Sequence, residues 1–156
     1  MPVRFIALPT AEVAALQAGG PDAHGQKPER HISHGDGVPC RHCLTRVAKG
    51  EAYLILAYRP FAAEQPYAET GPIFLHADPC PRFEEAGILP EILTARPEFV
   101  MRGYDDRDRI VYESCEVVAG DRVQDGAERL LALPRVEYLH VRARASTCYQ
   151  CRVERG

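Results

Sequence analysis

The chain has 156 residues, 46% of them apolar and 26% charged, with a net charge of −3 at neutral pH. That length fits one domain, and such a chain buries roughly 70% of its extended surface on folding, so it needs no disulfide or metal staple to fold. No apolar run approaches the roughly 18 residues of a membrane span, and the charge gives no overall pull toward nucleic acid or anionic lipid.

Val3 to Leu8 reads as a first strand. Thr10 then reads as an N-cap, with Glu12 in the first turn and Val13 and Leu16 on one face of a short helix that stops at Gly19-Gly20-Pro21. Residues 19–39 hold five glycines, three prolines and three histidines without apolar periodicity. They read as a long loop, of the kind that is functional or mobile in a compact domain.

Tyr53 to Tyr58 is an almost unbroken apolar run suited to a strand buried on both faces. Residues 60–72 form a second loop, and Ile73 to His76 a short strand. Ile88 to Ala95 reads as a short helix with Pro90 in its first turn. Glu98–Tyr104 and Ile110–Val118, joined by polar turn residues, read as a hairpin. Asp121 and Gln124 suggest a capping box for a helix with Val123, Ala127, Leu130 and Leu131 on one face, ended by Pro134. Val136–Arg142 and Tyr149–Val153 close the chain as strands. The expected fold is a single α+β domain over residues 1–156, with a mixed, mainly antiparallel sheet of about six strands and two to three helices on one face.

The chemistry lies in the cysteines. The Met1–Leu8 segment is too short an apolar run for a secretory signal, and six cysteines without one favour metal, redox or burial over a disulfide framework. Cys40 and Cys43 form one C-x2-C pair and Cys148 and Cys151 another, while His76 and Cys80 form an H-x3-C pair. Zinc takes four such ligands in a tetrahedron, and two ligands from one short turn fix half of it at little entropic cost. Two tetrads are open, Cys40–Cys43–His76–Cys80 and Cys40–Cys43–Cys148–Cys151, as is a mixed set. On a regular strand Cys148 and Cys151 point to opposite faces, so their joint use needs a turn or bulge at residues 147–150.

The remaining candidates carry blander expectations. Cys115, alone in a strand, reads as a buried core residue. His24, His31 and His34 read as solvated loop residues, and His42 as exposed between two candidate ligands. His140 reads as a hydrogen-bonded sheet histidine. Arg142, Arg144, Arg152 and Arg155 with Tyr138 and Tyr149 offer an anion or single-stranded nucleic acid a surface, though a solvated basic sheet edge accounts for them as well.

The stretches Pro39-Cys40-Arg41-His42-Cys43-Leu44, Pro66-Tyr67-Ala68-Glu69, Gly71-Pro72-Ile73-Phe74, Pro134 to His140 and Cys148-Tyr149 together resemble an uncharacterised bacterial family, domain of unknown function 1203 (DUF1203). The resemblance implies a small cytosolic bacterial protein and supplies no activity, substrate or catalytic residue. Many family members are similar to this chain at Cys40 and Cys148 but lack the partners at Cys43, Cys80 and Cys151, which implies that a metal site belongs to one branch.

The leading expectation is a small cytoplasmic protein with a structural zinc site drawn from Cys40, Cys43, His76, Cys80, Cys148 and Cys151, acting in binding or in a pathway the sequence does not name. The alternative is a thiol enzyme or redox sensor using Cys40/Cys43 or Cys148/Cys151, since a C-x2-C pair at a helix N-terminus has a lowered thiol pKa. A third is a small-molecule enzyme with its pocket under residues 19–39. No membrane is expected as a partner, nucleic acid is disfavoured, and the sequence names no other.

Overall fold

The computed structural model describes residues 2–84 and 86–156. The elements are β1 (Val3–Ile6), α1 (Thr10–Gln17), β2 (Glu29–Ile32), β3 (Ala52–Tyr58), β4 (Gly71–His76), β5 (Glu98–Tyr104), β6 (Ile110–Ala119), α2 (Val123–Leu131), β7 (Tyr138–Ala143) and β8 (Tyr149–Arg155). Instead of one sheet of about six strands there are two antiparallel sheets, one of five strands in the order β1-β8-β7-β5-β6 and one of three in the order β2-β3-β4.

The strand with no sequence signal is β2. All four of its residues are exposed, so it has no apolar period to read, yet it pairs with β3 along one edge inside the 19–39 segment. β3 is not buried on both faces. Ala52, Leu54 and Leu56 point inward while Tyr53, Ile55, Ala57 and Tyr58 are half-buried, the alternation of a sheet with one covered side. Its apolar outward residues had hidden that period.

Neither expected cap forms. Thr10 is the first helical residue of α1, preceded by an extended Pro9, and its hydroxyl bonds to His42 instead. Gly120–Arg122 makes a 3₁₀ turn leading into α2, and the Gln124 amide donates along the helix to Glu128 rather than back to Asp121. The expected helix over 88–95 is one 3₁₀ turn, Glu91–Leu93, pinned where the Ile92 amide donates to the Leu44 carbonyl.

Two main cores result. Val123, Ala127, Leu130 and Leu131 of α2 pack on Phe99, Met101, Leu139, Val141 and Val153, covering one face of the five-stranded sheet. The second core joins Leu54, Leu56, Ile73 and Leu75 of the small sheet to Val13 of α1, Cys40, Cys43 and Tyr149. That second core carries the metal-type ligands. Among the described residues no helix is long and apolar enough to cross a membrane.

Candidate metal centre

Residues 38–47 form a tight turn, not a helix. Pro39 bridges Arg46, the Cys40 amide donates to Thr45 O at 2.8 Å, and the Leu44 amide donates to Cys40 O at 3.0 Å. Leu44 takes a left-handed φ of 56° that reverses the chain just after Cys43. A bridge from Cys40 to Phe74 lays this turn against β4, whose last residue is His76. Beyond β4 the chain bends at Asp78-Pro79 and brings Cys80 back, and the Phe83 amide donates to His42 O.

This local folding gathers Cys40, Cys43, His76 and Cys80 so that one ligand atom from each lies within 4.8 Å of all the others. Cys40 Sγ is 3.9 Å from Cys80 Sγ, and Cys43 Sγ is 3.4 Å from His76 Nδ1. Tetrahedral zinc with bonds of about 2.3 Å to sulfur and about 2.0 Å to nitrogen spaces its ligands about 3.8 Å for S···S and about 3.5 Å for S···N. The observed pairs stand close to those spacings. His76 Nε2 is turned toward Glu51, 3.8 Å away, the arrangement that orients a ligating imidazole.

Each sulfur also meets one donor. The His76 amide donates to Cys40 Sγ at 3.3 Å, the Thr45 hydroxyl lies 3.1 Å from Cys43 Sγ, and His42 Nδ1 lies 3.1 Å from Cys80 Sγ. Sulfur contacts from Cys43 and Cys80 and backbone N–H groups hold the Cys40 thiol well below its usual range, while the Cys40 and Cys43 sulfurs, with burial, push Cys80 well above its own.

His42 is not exposed, as the sequence suggested, but almost wholly buried. Its Nε2 lies 2.9 Å from the Thr10 hydroxyl, a geometry that suits the tautomer donating from Nδ1 to sulfur. Burial lowers its pKa. Arg41 is the other residue the sequence did not flag. Its guanidinium is buried, donates to Tyr149 O and Pro39 O, and has no carboxylate within ion-pair distance among the described residues. Burial brings its pKa down to about 10, opposed by the Cys148 and Cys40 sulfurs, so it stays charged at neutral pH. The one sequence signal for both was their place inside the C-x2-C.

Cys148 and Cys151 do not join the cluster. A register shift opposite Val141 and Arg142 does bulge β8, but it turns Cys151 into the core under α2 and leaves Cys148 half-exposed. Burial pushes the Cys151 thiol up to about 12. All six cysteines are free. Cys115 is exposed rather than core, and His24, His31 and His34 are exposed as expected. Arg142 is not part of a solvated edge, because β7 is an interior strand and the residue is 6% exposed. His140 is fully buried on β7, and neither ring nitrogen has a hydrogen-bond partner.

A cavity of about 880 Å³ opens beside the cluster, lined by Cys43, His76 and Cys80 together with Ile32, Ile88 and Glu51. No curated protein and no solved structure matches the chain. A family model described as a protein of unknown function matches residues 37–155. That span holds every cysteine and His76, along with both C-x2-C pairs. On this match over most of its length, the chain belongs to the family DUF1203.

Proposed function

We propose that Cys40, Cys43, His76 and Cys80 hold one zinc ion in a closed structural site, and that the protein acts by binding rather than by thiol chemistry. The observation that carries this reading is the convergence of four ligand atoms within 4.8 Å of one another, with the Cys40–Cys80 and Cys43–His76 pairs at zinc-like spacings. The charge balance supports it. Three thiolates, a neutral imidazole and a divalent ion leave one net negative charge, and Arg41 is a buried cation near Cys40 with no carboxylate partner among the described residues. Four protein ligands leave no coordination position for a substrate, which is the pattern of a structural ion.

The thiol-enzyme or redox reading has less support. The Cys40–Cys43 turn is not a helix N-terminus, Cys40 is fully buried, and Cys148 and Cys151 face different surroundings. A working redox thiol needs an accessible sulfur.

Elemental analysis decides between them. Protein purified without an affinity metal and dialysed against a weak chelator should retain about one zinc per chain. Unfolded in chelator without reductant, it should release all six cysteines as free thiols. Cys43→Ser should lower bound zinc and leave the other five free. Less than about a tenth of an equivalent of zinc, with Cys40 and Cys43 missing from the thiol count, would replace this reading with the redox one.

A further inference from the structure

The small sheet has one uncovered edge. The turn at residues 38–47 lies against β4, where Cys40 bridges Phe74 and the Arg41 amide donates to Phe74 O at 3.2 Å. At the other edge, β2 has β3 on one side and no strand on the other among the described residues.

The backbone of β2 is placed to use that edge. The Ser33 amide donates to Glu51 O at 2.8 Å and Ser33 O accepts the Gly50 amide at 2.9 Å, so Ser33 faces the β3 side. Facing alternates along a strand, which turns the N–H and C=O groups of Arg30 and Ile32 away from β3. The partner strand agrees, since Ile32 stands opposite Ala52, whose carbonyl accepts the Ala77 amide on the β4 side. Two alternate residues thus offer both backbone groups outward, the pattern by which a sheet takes up a further strand.

The side chains of the same two residues open onto a cavity. Opposite residues share a face, so Arg30 and Ile32 lie beside the inward Leu54 and Ala52. Yet Ile32 is 52% exposed, because the inner face at this end gives onto the cavity of about 880 Å³ beside the cysteines. Ile88, 51% exposed, lines the same cavity from the loop after Cys80. A short charged edge is a common way to discourage pairing. That accounts for Glu29, Arg30 and His31, but not for an inward isoleucine left half bare over a cavity.

The cavity's charged walls are Glu51, Asp78, Glu84 and Glu91 against Arg30 and Arg82. Arg82 is engaged by Glu84 at 3.8 Å and by the Ala7 and Leu8 carbonyls. Asp78 and Glu91 have no ion-pair partner among the described residues, so carboxylate is in surplus here.

We propose that the β2 edge and this cavity dock an extended segment of a partner protein, added to the small sheet as a fourth strand, with an apolar side chain against Ile32 and Ile88 and a basic one facing Asp78 and Glu91. Main-chain bonds to Arg30 and Ile32 supply affinity whatever the sequence, and the cavity reads the side chains that alternate inward. The surplus carboxylate selects a basic segment over an acidic one. The inference rests on the reading of the protein as one that acts by binding, and uses the cysteine cluster only as a wall of the cavity.

The full-length protein, its zinc content and oligomeric state first measured, is used to select from a phage-displayed library of random peptides about nine residues long, enough for a strand. The enriched sequences should carry apolar and basic residues spaced two apart, the period of one strand face. A synthetic peptide of that sequence should bind with a Kd at or below about 100 μM and slow hydrogen exchange at the Arg30 and Ile32 amides. Arg30→Pro removes an outward N–H without breaking the β2–β3 ladder. It also removes a repelling charge, so binding weakened by at least about tenfold reports the backbone contact. Ile32→Ser, at a half-exposed position, should weaken binding by at least about fivefold even if Arg30→Pro does not fold. No enrichment, a consensus that binds more weakly or lacks basic residues, or protection that spares Arg30 and Ile32 overturns the proposal. Unchanged affinity of either folded variant overturns it as well. So does a dimer in which those two amides are already protected, because a second copy then fills the edge. Zinc retained without peptide binding sinks this inference alone, while peptide binding without zinc leaves it standing and sinks the zinc reading.

Discussion

Two buried histidines in this chain differ in what their ring nitrogens meet. Those of His42 lie 3.1 Å from Cys80 Sγ and 2.9 Å from Thr10 Oγ1, so the ring fixes the orientation of a candidate ligand sulfur. Truncation to alanine removes that restraint, and His42→Ala should weaken zinc retention about 10- to 100-fold, the usual effect of losing such a support. A chelator competition assay reads this directly, and unchanged zinc affinity would show that Cys80 needs no support. His140 is the opposite case. Burial holds its pKa well below the usual value, helped by Arg142, Arg152 and Arg102, which face it from β7, β8 and β5; Glu69 is the carboxylate serving two of those arginines. The folded chain therefore keeps His140 neutral, while the unfolded chain protonates it below about pH 6.5. Below that pH the unfolded state binds the extra proton, so stability falls with decreasing pH at a slope approaching about 1.4 kcal/mol per unit. Above it the ring is neutral in both states and contributes no slope. His140→Phe should flatten the melting temperature between pH 7 and 5 and should not lower it at pH 7.5. A lower melting temperature at pH 7.5 would mean that the imidazole nitrogens make bonds the phenyl ring cannot replace.

At the scale of elements, the β5–β6 hairpin shows how a readable strand misplaces a residue. Met101 pairs with Glu116 but Gly103 pairs with Val111, so four residues, Tyr112 to Cys115, stand opposite Arg102 alone. Ser114 fills this bulge. Its hydroxyl donates to Val111 O and accepts the Gly103 amide. With Ser114 turned inward, Cys115 turns outward, which reverses the parity that a regular strand starting from buried Val111 assigns to it. The bulge leaves no room at Gly103, where an added Cβ would lie 2.6 Å from Ser114 Oγ and 2.9 Å from Val136 Cγ1. Gly103→Ala should destabilise by about 1–3 kcal/mol and lower the melting temperature by about 2–4 °C for each kcal/mol; an unchanged transition would show that the bulge yields. The hairpin and α2 were legible because their apolar periods are strong. β2, with no buried residue, and the cap positions, whose side chains are used by His42 and Glu128, were not. The bulge in β8 was named as a condition for joining Cys148 to Cys151, yet it separates their surroundings, because Tyr149 and Gln150 both take inward positions between them.

At the scale of the molecule, the four candidate ligands belong to one lobe. Cys40 and Cys43 lie in the core of the small sheet, His76 ends β4, and Cys80 packs against the same core. The pairs C-x2-C and H-x3-C could be read from spacing. Which pairs meet could not, because that depends on the turn at 38–47 docking against β4 and on the bend at Asp78-Pro79. The larger core under α2 contains none of these ligands, and its contact with the site runs through Leu44, whose carbonyl accepts the Ile92 amide. If the site holds zinc as proposed, removing the ion should therefore loosen one lobe and spare the other. Hydrogen exchange after treatment with a strong chelator should show lost protection in β3, β4 and residues 38–47, with the central amides of β5, β7 and β8 still protected. Far-UV circular dichroism should keep most of its intensity while the melting temperature falls, since a core of this size needs no ion to hold together. Equal loss of protection in both lobes, with collapse of the dichroism signal that zinc restores, would instead make the ion the main support of the whole fold, as it is in domains too small to build a core.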